Sequence, residues 1–217
     1  QDQLVTGLQT AVDGGMRLLA DCHADRLILD KGQVIAVEAS AMRTGFDRPS
    51  GVRVVVRAKK TVLAGGAINS PALLLRSGID VDGHVGRRTM LHPVVALPAI
   101  YPERIDGWRG APQSIGSHQF IERDGVGFFL ETPPLQPMLA SSGLFAWGAY
   151  QAQFMKRLPY VSSLLALCVD GLETDGGVVS LKRDGRPRLD YPIGPELVEA
   201  FHAAHIAMAQ IHQAAGV

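Results

Sequence analysis

Two adjacent glycines, Gly65 and Gly66, separate a run of β-formers from a run of leucines in the stretch Thr61–Ile79, TVLAGGAINSPALLLRSGI. That order leaves few ways to fold. Thr61, Val62 and Leu63 predict a short buried strand. Ala64, Gly65, Gly66 and Ala67 carry little or no side chain, so the backbone can take a positive φ and another group can lie directly against it. Asn69 or Ser70 can cap a following helix, and Pro71 suits its first position. Ala72, Leu73, Leu74 and Leu75 supply an apolar helical run, and Ser77-Gly78 stops it. By spacing alone the stretch also reads as an ordinary strand-to-helix corner, since short glycine motifs recur without a ligand.

The residues before this corner predict a meander. Leu4, Leu8 and Val12 recur every fourth position, which places them on one helical face before Gly14-Gly15. From Arg17 the pattern turns extended, and Arg26-Leu27-Ile28-Leu29 reads as a strand. Asp30-Lys31-Gly32 is a turn signal, and Val34 to Glu38 continue as a second strand, which makes a hairpin. Arg43 to Ser50 is a polar loop, and Val52 to Val56 form a third strand.

Set against known patterns, GGAINSPALLLRSGI resembles the second signature of the glucose-methanol-choline (GMC) family of FAD-dependent oxidoreductases, Gly-Ala-x-x-Ser-Pro-x-Leu-Leu-x-x-Ser-Gly-Ile. Gly66, Ala67, Ser70, Pro71, Leu73, Leu74, Ser77, Gly78 and Ile79 fall on it. Val85-Gly86-Arg87 and His92-Pro93 resemble the family's Val-Gly-x-Asn-Leu-x-Asp-His-Pro, with Arg88, Thr89 and Leu91 departing from it. The resemblance implies that the corner lies against FAD. It implies cofactor contacts at Ala24, through its N–H and C=O, and at Ala64, Gly65, Gly66 and Asn69. It places a Rossmann unit with GxGxxG before Gln1 and the catalytic His, with a second His or Asn, after Val217. No catalytic residue is therefore expected within the chain, and His92 is read as structural.

Beyond Val94 the chain breaks into short extended pieces at Pro98, Pro102, Gly107, Gly110 and Pro112. Strands are expected over 113–122, 127–131, 163–170, 178–181 and 188–191, and a short helix over 151–158. Strands joined by irregular loops suggest an antiparallel sheet, one face packed inward and the other covered by helices. In the GMC family such a sheet roofs the substrate pocket. Trp108, Phe128, Phe129, Phe145 and Trp147 can line an apolar pocket, though core packing explains each of them as well. Pro195 to Ala215 reads as a long helix with Leu197, Phe201, Ala204, Met208 and Ile211 in one stripe. His202, His205 and His212 sit on an adjoining stripe, as flanking residues rather than metal ligands, because no Asp or Cys lies on that face. The segment from Asp184 to Val217 resembles the long-chain alcohol oxidase branch.

Composition narrows the classes. Lys plus Arg and Asp plus Glu are equal at 21 each, which gives no long-range pull toward nucleic acid or an anionic membrane. Cys22 and Cys168 belong to no CxxC or zinc spacing, so no metal site is expected. With no visible signal peptide, a reducing, cytoplasmic setting is the default.

The expected fold class is α+β, or mixed α/β. It comprises part of a FAD-binding domain of the two-dinucleotide-binding-domain type over 1–92, an antiparallel-sheet substrate domain over 93–194 and a long helix over 195–217. The expected function is a piece of a FAD-dependent alcohol oxidase or dehydrogenase, passing hydride from an alcohol to flavin. Its expected partners are a small-molecule alcohol and the remaining segments of the same enzyme, with no nucleic acid and no strong membrane signal. Alone, such a piece should neither hold FAD tightly nor turn over alcohol. Two other readings stay open: a piece of another FAD-dependent oxidoreductase, and a self-standing binding domain without catalysis.

Overall fold

A computed structural model describes residues 7–45, 48–111, 113–144, 146–171 and 174–217. The readings that involve Leu4, Pro112 and Phe145 lie outside the described residues. The chain divides into two compact units, the first comprising Gln1–Arg87 and Val179–Leu189 and the second Arg88–Val178 and Asp190–Val217.

The first unit is built on a three-stranded antiparallel meander, β1 (Cys22–Asp30), β2 (Gln33–Met42) and β3 (Pro49–Arg57), in sequence order. Lys31 and Gly32 make the first turn with φ of 47° and 80°, the paired positive values that match strand twist in a two-residue hairpin. Before the sheet, α1 (Gln9–Asp13) is a single short turn of helix that buries none of its residues, so the expected apolar face has nothing to pack on among the described residues. Glu38, on the central strand, takes Arg26 at 3.1 Å and also pairs with Arg53, which ties all three strands together by charge.

The corner differs from expectation in three respects. Residues 61–64 pair with no described strand, and Val62 is 85% exposed, so the buried strand is absent. Extended backbone needs a neighbour for its N–H and C=O groups, and none lies alongside. The helix α2 (Gly66–Arg76) starts earlier than Asn69 or Ser70, so neither caps it and Pro71 sits inside it. Gly66 makes the early start possible, because its φ of 75° turns the chain into the helix where a side chain would be strained. The far end is as expected. Gly78 has φ 71°, its N–H donates to Leu75 O at 3.1 Å, and Ile79 N–H donates to Leu74 O at 3.0 Å. This is the paired-bond ending that only a left-handed residue permits.

In the second unit, β4 (Val94–Ile100), β5 (Gly116–Ser117), β6 (Phe128–Glu131) and β7 (Val161–Cys168) form an antiparallel sheet in the order β4-β7-β6-β5. β5 is only two residues long, where a strand over 113–122 was expected; turns occupy most of that range. Helices α3 (Pro137–Gly143) and α4 (Ala149–Arg157) and one 3-10 turn (Leu158–Tyr160) link β6 to β7. The hairpin of β8 (Val178–Leu181) and β9 (Pro187–Asp190) follows in sequence and falls, over Val179–Leu189, in the first unit, whereas α5 (Pro195–Ala214) of the second unit ends at Gly216, φ 98°.

α5 covers one face of the sheet. Leu197, Ala200, Ala204, Ala207 and Met208 pack on Val126, Phe128, Leu130, Ala166 and Cys168. The three alanines let the helix lie close, and Met208 fills the remaining gap. Phe120 stacks on Phe128 with ring centroids 4.9 Å apart. Directly paired residues share a face, so the register that sets Val94 and Phe129 against Leu167, and Ala96 against Leu165, turns these toward the side away from α5.

The histidine stripe needs correction. His212 belongs to the core, 3% exposed, with Nδ1 2.7 Å from Tyr101 Oη and Nε2 3.0 Å from Leu97 O. A carbonyl only accepts, so Nε2 carries the proton and Nδ1 accepts from the tyrosine hydroxyl. His205 donates through Nδ1 to Phe201 O at 2.7 Å, and His202 is exposed. Phe128 is core, whereas Trp147 is 85% exposed.

Candidate functional site

The N-terminal edge of α2, the run before it and strand β1 enclose a cavity of about 410 Å³ in the first unit. The local sequence explains why it is open. Ala64 and Gly65 place no bulk at its rim, and β1 lies at the sheet edge, with no strand on its outer side.

Of the five residues expected to contact a cofactor, Ala24, Ala64, Gly65 and Asn69 line this one cavity. Gly66 does not; it supplies the turn into α2. Gly65 is close-packed from behind. Its N–H donates to Ser70 Oγ at 3.0 Å, and a Cβ there would stand 3.2 Å from both Asn69 Cβ and Ser70 N.

Arg76 and Ser77, at the end of α2, hold the helix to β1. A bulge between Ala24 and Arg26 breaks the alternation of the strand, so two consecutive carbonyls turn outward. Arg76 Nε donates to Asp25 O at 2.9 Å and a terminal nitrogen to Ala24 O at 3.1 Å. Its other terminal nitrogen is 3.4 Å from Gly185 O. Ser77 Oγ accepts from Leu27 N–H at 2.8 Å and donates to Leu73 O at 2.7 Å. The Ala24 carbonyl thus has a partner within the chain.

A second chain of bonds leads to the rim. Ser40 Oγ donates to Asp25 Oδ2 at 2.6 Å, and His23 Nδ1 is 2.9 Å from Asp25 Oδ1. Burial pushes the Asp25 carboxyl up. The hydrogen bonds from Ser40 and His23, with the charges of His23 and Arg76, outweigh that and hold it below the usual carboxylate range. Asp25 therefore steers the His23 ring, which itself lines the cavity.

One polar atom in the lining is left over. Thr61 Oγ1 is buried without a hydrogen-bond partner among the described residues. Buried hydroxyls are nearly always paired, so Thr61 offers a ready bond to whatever fills the space. No carboxylate is among the lining residues, and Arg76, its one guanidinium, is engaged by carbonyls. The arrangement suits a neutral, hydrogen-bonding part of a ligand laid on small side chains. Among the described residues no group of three or more His, Cys, Asp and Glu is placed to hold a metal ion.

Sequence reasoning missed Thr61, His23 and Arg76. For Arg76 a signal existed: a cation in the last turn of a helix faces free carbonyls. For Thr61 none did, because its orphaned hydroxyl is a property of the fold.

Residues 1–94 match the family model described as GMC oxidoreductase. A GMC-type oxidoreductase of Mycobacterium tuberculosis is 28% identical over 212 residues, 98% of this chain and 32% of that protein. A GMC-type oxidoreductase of Sinorhizobium fredii is 32% identical over 133 residues, 61% of this chain and 25% of that protein. A long-chain-alcohol oxidase of Arabidopsis thaliana is 27% identical over 200 residues, 83% of this chain and 25% of that protein. The chain spans about a third or less of the length of these curated relatives. Residues 1–94 thus carry the GMC oxidoreductase N-terminal family domain, and the relatives of the chain are GMC-type oxidoreductases, long-chain alcohol oxidases among them.

Proposed function

We propose that the first unit supplies one wall of the FAD cavity of a flavin-dependent alcohol oxidase or dehydrogenase. The observation that carries this reading is the gathering of Ala24, Ala64, Gly65 and Asn69 around one cavity with an unpaired Thr61 hydroxyl. Bound FAD supplies the hydride acceptor for alcohol oxidation. The residues here bind and orient. Ala64 and Gly65 admit the ligand against the backbone, Thr61 Oγ1 and the Asn69 amide offer hydrogen bonds, and Arg76 fixes the Ala24 carbonyl. His23, steered by Asp25, presents its other ring nitrogen at the rim. The proton acceptor for the alcohol is assigned to no residue of this chain.

In the second unit, the sheet face away from α5 offers Val94, Ala96, Leu165, Leu167 and Phe129. We assign to it the alkyl part of the alcohol, in line with the names of the Arabidopsis relatives.

The test is flavin retention by the protein in its full encoded length. Gly65→Val thrusts a branched side chain toward Asn69 and Ser70 and should strip FAD from the purified protein while circular dichroism stays native. FAD should also slow alkylation of Cys22, which lines the cavity. A folded Gly65→Val protein that keeps flavin at the wild-type ratio, with Cys22 alkylated equally fast with and without FAD, would sink the assignment.

A further inference from the structure

The α3–α4 hairpin of the second unit carries an inference that does not rest on the flavin reading. Gln151 clasps the two helices together, donating to Ser141 O at 3.2 Å and to Ser141 Oγ at 2.9 Å. Neither helix contains a buried residue. The hairpin is anchored at its two ends: Leu135 N–H donates to Gly107 O at 2.8 Å before it, and after it Leu158 is buried and the Pro159 carbonyl accepts from Ile105 N–H and Asp106 N–H. It nevertheless carries four large apolar or aromatic side chains in the open: Met138 at 83% exposure, Leu139 at 56%, Trp147 at 85% and Tyr150 at 66%. Such a concentration on one small element marks an interaction surface.

Charge selects the partner. From Thr132 to Val169 the sequence contains no Asp or Glu, and Lys156 and Arg157 are its only charged residues. On α4, positions 149, 150, 152, 153, 156 and 157 are exposed and 151, 154 and 155 half-buried. At 3.6 residues per turn the exposed positions fill an arc of about 160°, and that arc holds Tyr150 together with Lys156 and Arg157. Trp and Tyr favour the boundary between lipid headgroups and acyl chains, and Lys and Arg reach lipid phosphates. Both helices are far shorter than the ~20 residues that cross a bilayer, and among the described residues no helix is long and apolar enough to do so.

We propose that the hairpin 137–157 docks on the surface of an anionic lipid bilayer. Met138, Leu139, Trp147 and Tyr150 enter the headgroup–acyl boundary, and Lys156 and Arg157 meet the phosphates. The balanced charge of the whole sequence hides this surface, because the acidic residues that offset its cations lie in other segments.

The test uses the protein in its full encoded length, with vesicles of phosphatidylcholine alone or with phosphatidylserine added. The expected result is co-sedimentation with the anionic vesicles that weakens as salt rises. The pair Met138→Ser and Trp147→Ser, and separately the pair Lys156→Ala and Arg157→Ala, should each weaken it by about tenfold or more. No buried side chain is touched, so circular dichroism should stay native. With Trp108 and every Trp encoded outside these 217 residues replaced by Phe, Trp147 fluorescence should be quenched by iodide without vesicles and shift to the blue with anionic ones. Binding that is absent, or indifferent to both lipid charge and the substitutions, overturns the proposal. So does a Trp147 that iodide cannot reach before lipid is added, since another segment or a second copy then covers the hairpin.

Discussion

Ser77 joins two elements through one hydroxyl, which accepts from Leu27 N–H and donates to Leu73 O. Leu27 is buried, so Ser77→Ala leaves a buried N–H without a partner, at a cost of about 1–3 kcal/mol. The measurement is the shift of the urea midpoint, and an unchanged midpoint would show that water replaces the hydroxyl. Asp25 makes a pH prediction. Its folded pKa is lowered, so its contribution is present above its unfolded value and is lost as pH falls through the folded one. Ser40→Ala removes one of the bonds that lower it, which moves the folded pKa up toward the usual carboxylate range. The variant should be less stable than wild type near neutral pH, and the difference should vanish in acid below both values. A difference that persists there would assign the effect to packing. At this scale the sequence is only partly legible. Gly65 and Asn69 announce themselves by motif, whereas the Arg76 and Ser77 contacts to β1 depend on partners about fifty positions away.

The elements were more legible than the contacts. The β1–β2 turn, the end of α2 at Gly78 and the end of α5 at Gly216 follow from local chemistry, and all three lie where turn and cap residues put them. The misjudged elements are those whose fate depends on neighbours. Residues 61–64 have strand composition but no strand beside them. The start of α2 was misplaced because Pro71 is a common first residue, while the left-handed Gly66 lets the helix begin a turn sooner. Gly78 tests the capping argument. With φ 71° it sits where an L-residue is strained, so Gly78→Ala should cost roughly 1–2 kcal/mol. Thermal unfolding followed at a helix-sensitive wavelength reads this out. A stability loss far beyond that range would mean that the Ile79–Leu74 closure is lost with it.

Across the whole molecule each unit carries one cysteine, Cys22 in the first and Cys168 in the second. The two thiols can therefore report on the units separately. Cys168 lies in the same core cluster as Met208, and burial, reinforced by the Asp170 charge against the opposing Arg123, pushes its thiol up to about 11. Only the thiolate attacks an alkylating reagent, so the folded second unit should leave Cys168 unreacted near neutral pH. Labelling then requires that the unit open, which restores a thiol pKa of about 8.5. Met208→Ala creates a cavity beneath α5 and should cost about 2–5 kcal/mol, and Cys168 labelling should accelerate in proportion to the opening equilibrium. Cys22 is half-buried at the cavity of the first unit and is not a member of that core cluster. Its rate should be the same in wild type and variant if the units open independently. Parallel acceleration of both thiols would instead establish one cooperative unfolding unit, in which case a ligand in the first unit's cavity would protect Cys168 as well.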